Sequence, residues 1–297
     1  MVTSRSEYLD PEVLEELGNM NLRARTLVDG LLAGLHRSPH RGGSVEFAEY
    51  TEYTPGDEIR HIDWKVYGKT DEFYVKEFED ETNLRAYLLL DGSGSMDFAG
   101  EQAPLTKLRY VSFLAATFAY LFLRQGDAVG GLSFAEEAGD FLPASSAESH
   151  LEDLFFLLEH LRGAGGTEFA SALRRLAERA PRRSVVLIFS DFLGVDESAM
   201  ELLRVLQEQK RDVAVFHVVD PAELNLPYEG LRIFEGLEAD GELLADPDDL
   251  RDAYVDRFRE HLEFVERSCR EGRIGYHRFA TTHPLERVCL DFLRGRL

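Results

Sequence analysis

Apolar and polar positions follow two rhythms along the chain. From Glu12 to Leu35, apolar residues recur at helical spacing (Val13, Leu14, Leu17, Met20, then Leu27, Leu31, Leu35), which predicts an amphipathic helix. Gly34, Pro39, Gly42 and Gly43 break that pattern. Val45–Tyr50 and Phe73–Val75 read as strands, with the turn Thr54-Pro55-Gly56-Asp57 between them. From Arg85 onward, strand and helix alternate. Ala86–Leu90 is a continuous apolar run, as in a strand buried on both faces. A mostly apolar helix is predicted over Leu105–Arg124, a strand over Asp127–Phe134 and a helix around Leu151–Leu158. Gly165-Gly166-Thr167 leads into a helix through Ala180, followed by strand Val185–Phe189, helix Ser198–Gln209 and strand Val213–Val219. Periodicity fades between Pro221 and Pro247, where Gly230, Gly236 and Gly241 suggest a hairpin insertion near 222–247. A long helix Asp248–Cys269, a strand Gly275–Ala280 and a helix Leu285–Leu293 complete the series. The alternation predicts a doubly wound α/β domain at 83–297, a mostly parallel sheet with helices on both faces, preceded by an α+β extension at 1–82.

Composition narrows the functions. The chain has 297 residues, 44% of them hydrophobic, enough for a large core. Thirty-three basic residues against 55 acidic give a net charge of −22. Such a surface repels phosphate backbones and anionic lipid, so neither nucleic acid nor a membrane surface is an expected partner. The segment Met1–Asp10 lacks the apolar core of a secretion signal, and Val111–Leu123, interrupted by Ser112 and Thr117, is too short for a spanning helix. Cys269 and Cys289 read as two buried thiols of a reducing compartment. A cytoplasmic protein is expected.

The chemistry concentrates at three loops that a doubly wound sheet brings to one edge, beyond the carboxyl ends of its strands. They are Asp91-Gly92-Ser93-Gly94-Ser95, then Gly165-Gly166-Thr167, then Ser190-Asp191. A hard cation such as Mg²⁺ (or Mn²⁺, Ca²⁺) takes oxygen ligands. Ser93, Ser95 and Thr167 supply neutral hydroxyls, while Asp91 and Asp191 supply charge directly or through water. Alternate spacing lets one tight loop aim Asp91, Ser93 and Ser95 at a single point. Each piece alone has a plainer reading: a βα turn for Asp91–Ser95, a helix N-cap for Thr167 and a strand-end turn for Asp191. Their joint occurrence, in order, favours a metal site. With few anionic ligands the ion stays electrophilic and can take a carboxylate from another protein.

The Asp-x-Ser-x-Ser motif at Asp91–Ser95, with Thr167 and Asp191, resembles the metal-ion-dependent adhesion site (MIDAS) of von Willebrand factor A domains. The resemblance implies that Ser93, Ser95 and Thr167 ligate directly or nearly so, and that Asp91 and Asp191 act mainly through water. Upstream, Gly34-x-His36-x-Ser38, Glu46-Phe47, Tyr53-Thr54-Pro55-Gly56-Asp57-x-x-Arg60-x-Ile62-Asp63-Trp64 and Tyr74–Glu79 are similar to the bacterial domain of unknown function family number 58. Two departures stand out: Thr51 occupies a position often basic in the family, and the N-terminal membrane helices of many members have no counterpart here. The resemblance implies pairing with a MoxR-type AAA+ ATPase in chaperone-like maturation or assembly.

The expected role is therefore a non-enzymatic adaptor that holds an Asp or Glu of a protein partner through its metal. The alternative is a metal-dependent hydrolase or phosphatase, since Asp91 follows an apolar strand. Against it, Ser93 stands where a second aspartate is expected, no positioned lysine is apparent, and no P-loop or nucleophile-elbow motif occurs. The Gly56–Trp64 segment reads either as a partner surface or as a packed turn, and His217 reads as a satisfied core residue.

Overall fold

The computed structural model describes residues 20–35, 50–52, 74–76, 84–136, 138–238 and 241–296. The expected strand at Val45–Tyr50, the turn at 54–57 and the Gly56–Trp64 segment lie mostly or wholly outside these residues. Two compact units result. The smaller falls within residues 36–83 and contains β1 (Tyr50–Glu52) and β2 (Tyr74–Lys76), paired antiparallel.

The larger unit contains everything from Leu84 onward together with α1 (Met20–Leu35). The sequence pattern assigned this helix to the extension. In the structure, Met20, Ala24, Leu27 and Leu31 fall on one face and are buried in the α/β core. Its contacts run to α2 (Lys107–Arg124) and α3 (Glu148–His160). The Arg23 guanidinium lies over the Phe113 ring at 5.0 Å, and the Met20 amide donates to Glu159 Oε1 at 2.7 Å.

The central sheet has six strands in the order β10-β7-β6-β3-β4-β5, with β3 Arg85–Asp91, β4 Ala128–Phe134, β5 Ala138–Ser145, β6 Val185–Ser190, β7 Asp212–Val219 and β10 Gly275–Ala280. All neighbours are parallel except β4 and β5. β3, β6 and β7 are buried along almost their whole length, which accounts for their unbroken apolar runs. Helices α1, α2, α3 and α8 (Leu285–Arg296) cover one face. The other is covered by α4 (Phe169–Arg179), α5 (Glu197–Glu208) and α7 (Pro247–Glu271). This is the doubly wound α/β architecture that the alternation predicts.

Two elements had no sequence signal. β5 is an edge strand with shifted register, and Pro143 within it lacks the amide a central strand would need. The short helix α6 (Pro221–Asn225) is set by a capping box, in which Asp220 Oδ1 accepts from the Ala222 amide at 2.8 Å and Glu223 Oε2 from the Asp220 amide at 2.8 Å. The insertion forms the expected hairpin, β8 (Arg232–Glu235) with β9 (Glu242–Ala245). Among the described residues, no helix is long and apolar enough to cross a membrane.

Candidate metal centre

From β3 the chain proceeds to β4 on one side, while β6 lies on the other, so the carboxyl end of β3 is where the winding reverses. In open α/β sheets a crevice forms there. Asp91 is the last residue of β3, and Asp191 directly follows β6, its parallel neighbour.

The first loop is laced into its surroundings by main-chain hydrogen bonds. The Gly92 amide donates to Phe134 O at 2.7 Å, the Ala164 amide to Gly92 O at 3.0 Å and the Gly94 amide to Gly165 O at 2.9 Å. The second loop is thereby fixed to the first. Gly165, at φ +69, holds a left-handed conformation that a side chain would strain. Asp91 Oδ1 accepts from the Ser93 amide at 2.9 Å and Oδ2 from Ser190 Oγ at 2.5 Å. Ser93 Oγ and Ser95 Oγ lie 3.2 Å apart, and Ser95 is near enough to Asp191 to favour its charged form. Four of the five expected residues are thus connected and buried.

Thr167 stands two residues beyond Gly165. Its Oγ1 is shielded from solvent and has no hydrogen-bond partner among the described residues. It is not a helix cap either: Glu168 holds the N-cap position of α4, without a side-chain cap bond. A shielded hydroxyl without a protein partner is costly, which is the condition expected of a metal ligand. Asp191 does serve its turn, since Oδ1 accepts from the Leu193 amide at 3.1 Å. The next residue, Phe192, has φ 56, a conformation costing a bulky residue about 1–3 kcal/mol. T-shaped packing on Phe169 at 5.3 Å and a tilted contact with the His217 ring at 5.2 Å hold it there. His217 itself is a buried core residue, but only half satisfied: Nδ1 lies 2.9 Å from Tyr276 Oη, while Nε2 has no hydrogen-bond partner among the described residues. Burial first, outweighing the charge of Asp191, pushes its imidazole down to about 3.

One expectation is overturned. A positioned lysine is present: Lys107, wholly buried at the first turn of α2, donates to Asp191 Oδ2 at 2.6 Å and to Glu223 Oε1. The capping box of α6 presents Glu223 to it. A cation at the positive end of a helix is disfavoured on its own, so these carboxylates are what make the position tenable. A charged residue opening a helix that is otherwise buried was the available signal, and it calls for an anionic partner. Burial alone would raise Asp191 and lower Lys107. The ion pair outweighs it, holding Asp191 below the usual carboxylate range and Lys107 above its ordinary value. Asp91 has no such counter-ion. Burial, then the charge of Asp191, push it up to about 7 against the hydrogen bonds from Ser190 and Ser93.

Among the described residues, no three His, Cys, Asp or Glu side chains converge. The arrangement is instead rich in hydroxyls, with two carboxylates, and suits a hard, oxygen-seeking divalent ion. Ser95 opens onto a cavity of ≈ 690 Å³ that extends past Phe98, Leu226 and Tyr228 to Phe234 and Glu238 of the hairpin segment.

A family model described as "Protein of unknown function DUF58" matches residues 49–263. The uncharacterized proteins Rv1480 of Mycobacterium tuberculosis and Mb1516 of Mycobacterium bovis are each 28% identical over 272 residues, which is 90% of this chain and 84% of theirs. Among solved structures, the conserved hypothetical protein BatB from Bacteroides thetaiotaomicron is similar at 17% identity and TM-score 0.48, covering 71% of this chain and 98% of that one. The SpRpn10 VWA domain is similar at 10% identity and TM-score 0.42, covering 70% and 94%.

Proposed function

We propose, from the premise that this chain belongs to the DUF58 family, that it is a non-enzymatic adaptor whose Mg²⁺-type site holds an acidic side chain of a protein partner. The convergence of Asp91, Ser93, Ser95 and Asp191 beside the unpartnered Thr167 hydroxyl is the observation that carries this reading. The three hydroxyls and Asp91 would hold the ion. Asp191 would orient ligands around it, with its own charge already matched by Lys107. The bound ion supplies an electrophilic position for a carboxylate. The protein's residues then need only fix and enclose it, since no bond is broken. The family resemblance points to a MoxR-type AAA+ ATPase as the partner and to work in maturation or assembly.

The hydrolase alternative gains the lysine it lacked. However, Lys107 is shielded from solvent and engaged by both Asp191 and Glu223, which leaves its charge away from any substrate. This supports binding over turnover.

Calorimetric titration with Mg²⁺ and Mn²⁺ is the test. The wild-type chain should bind, and Asp91→Ala should lose at least about tenfold in affinity. Equal affinity in the two proteins would remove the metal site. Retention of the ATPase on immobilised chain should likewise require both Mg²⁺ and an intact Asp91.

A further inference from the structure

The turn of the β8–β9 hairpin reaches the metal loop. A Cβ built on Gly94 would stand 2.0 Å from the Leu237 carbonyl oxygen, so the two main chains touch and only glycine fits between them. The next residue, Glu238, lines the ≈ 690 Å³ cavity onto which Ser95 opens. Its Oε1 is shielded from solvent and has no hydrogen-bond partner among the described residues. Leaving such an oxygen without a donor is unfavourable unless a cation shares its space. Thr167 Oγ1 is in the same condition. The two orphaned oxygens come from segments that both meet Gly94, one through Gly165 O and the other through Leu237 O. Other carboxylates nearby are placed differently. Glu223 is taken by Lys107, and Glu136, which approaches Gly165, is exposed to water.

We propose that Glu238 is an internal ligand of the metal site: it does not stand with Asp91 and Asp191 as a preformed group of three carboxylates, and closes onto the ion once that is bound, taking the position that a partner's acidic side chain would otherwise fill. This rests on the metal-binding reading above and adds a competitor to it: hairpin and partner contend for one ion. The hairpin is suited to displacement. Its strands are four residues each, too short to be stable alone, and its turn is closed by a Gly236 amide to Gly241 O hydrogen bond of 2.8 Å. Leu231, Ile233 and Leu244 share one face of the hairpin and are 69%, 65% and 63% exposed, an apolar surface that a partner can grip as it draws the hairpin aside. The matching partner segment has an acidic residue flanked by apolar side chains.

The experiment follows Mn²⁺ binding to the full chain by calorimetry and by the proton relaxation of water on the bound ion. Wild type, Glu238→Gln and Asp91→Ala are compared. Glu238→Gln should bind Mn²⁺ about tenfold more weakly and show higher relaxivity, because water enters the position the carboxylate leaves. The relaxivity decides. If it is unchanged in Glu238→Gln while Asp91→Ala fails to bind, Glu238 is not a ligand and the metal site stands. If wild type binds no Mn²⁺, or Asp91→Ala binds as well as wild type, the site and its internal ligand fall together.

Discussion

At the scale of single residues, Lys107 changes how the site is balanced. Two carboxylates, Asp91 and Asp191, meet at the end of β3 and β6, yet only Asp191 has a cation beside it. Removing that cation leaves a buried charge unpaired, a change that costs about 3–5 kcal/mol where the site cannot relax. Lys107→Met should therefore lower the unfolding free energy of metal-free protein, read from urea titration, by an amount in that range. Excess Mg²⁺ should restore part of the loss, since the ion would then be the only cation near Asp191. A loss identical with and without Mg²⁺ would separate Lys107 from the metal site. Asp91, Ser93, Ser95, Thr167 and Asp191 were legible because each follows or precedes a strand or helix that announces itself in the sequence. Lys107 was hidden because its partners lie 84 and 116 positions away, and a lone lysine at a helix start reads as solvated. Ser190, beside a residue the sequence did single out, was visible without its role as donor to Asp91.

Among the elements, strong periodicity translated directly. β10 matches its expected bounds, and α2, β4, β6, β7 and α7 differ by a residue or two at their ends. The exceptions have physical reasons. β5 pairs on one side only and carries a proline, so no alternation marks it, and α6 is only five residues long, defined by its capping box and not by an apolar stripe. The hairpin was foreseen from its glycines, but its contact with the Asp91–Ser95 loop was not, because 143 positions separate Gly94 from Leu237. That contact has a direct test. Gly94→Ala puts a methyl group where the Leu237 carbonyl lies, so the hairpin must withdraw. Limited proteolysis should then cut within 232–245 at least about tenfold faster than in wild type, while the sheet keeps its protection. Unchanged cleavage would mean that the metal loop yields instead of the hairpin.

At the largest scale, the larger unit is built on one six-stranded sheet shared by two helical layers, and each layer holds one cysteine. Cys289 lies in the layer with α1, α2, α3 and α8, Cys269 in the layer with α4, α5 and α7, and both are wholly buried. Burial, followed by the charge of Glu266, pushes the Cys269 thiol up to about 12. Burial, then Glu286, raises Cys289 further still. Neither forms thiolate at neutral pH, so iodoacetamide should modify neither in the native protein. Because every strand between the layers serves both, the two thiols should become reactive at the same urea concentration. Labelling of Cys269 before Cys289 would show that the second layer opens by itself. The same shared sheet governs the site at its edge. β3 and β6 run in parallel register from Ala86 opposite Val185 to Leu90 opposite Phe189, and Asp91 and Asp191 follow at their ends. Continuing that register sets Asp91 beside Ser190, whose hydroxyl donates to it, and places Asp191 one residue further along. On the proposed reading, an ion would find these ligands ordered in advance, with little chain entropy surrendered on binding. On that reading the two carboxylates borrow their stiffness from strands buried on both faces, and no backbone has to move to receive an ion.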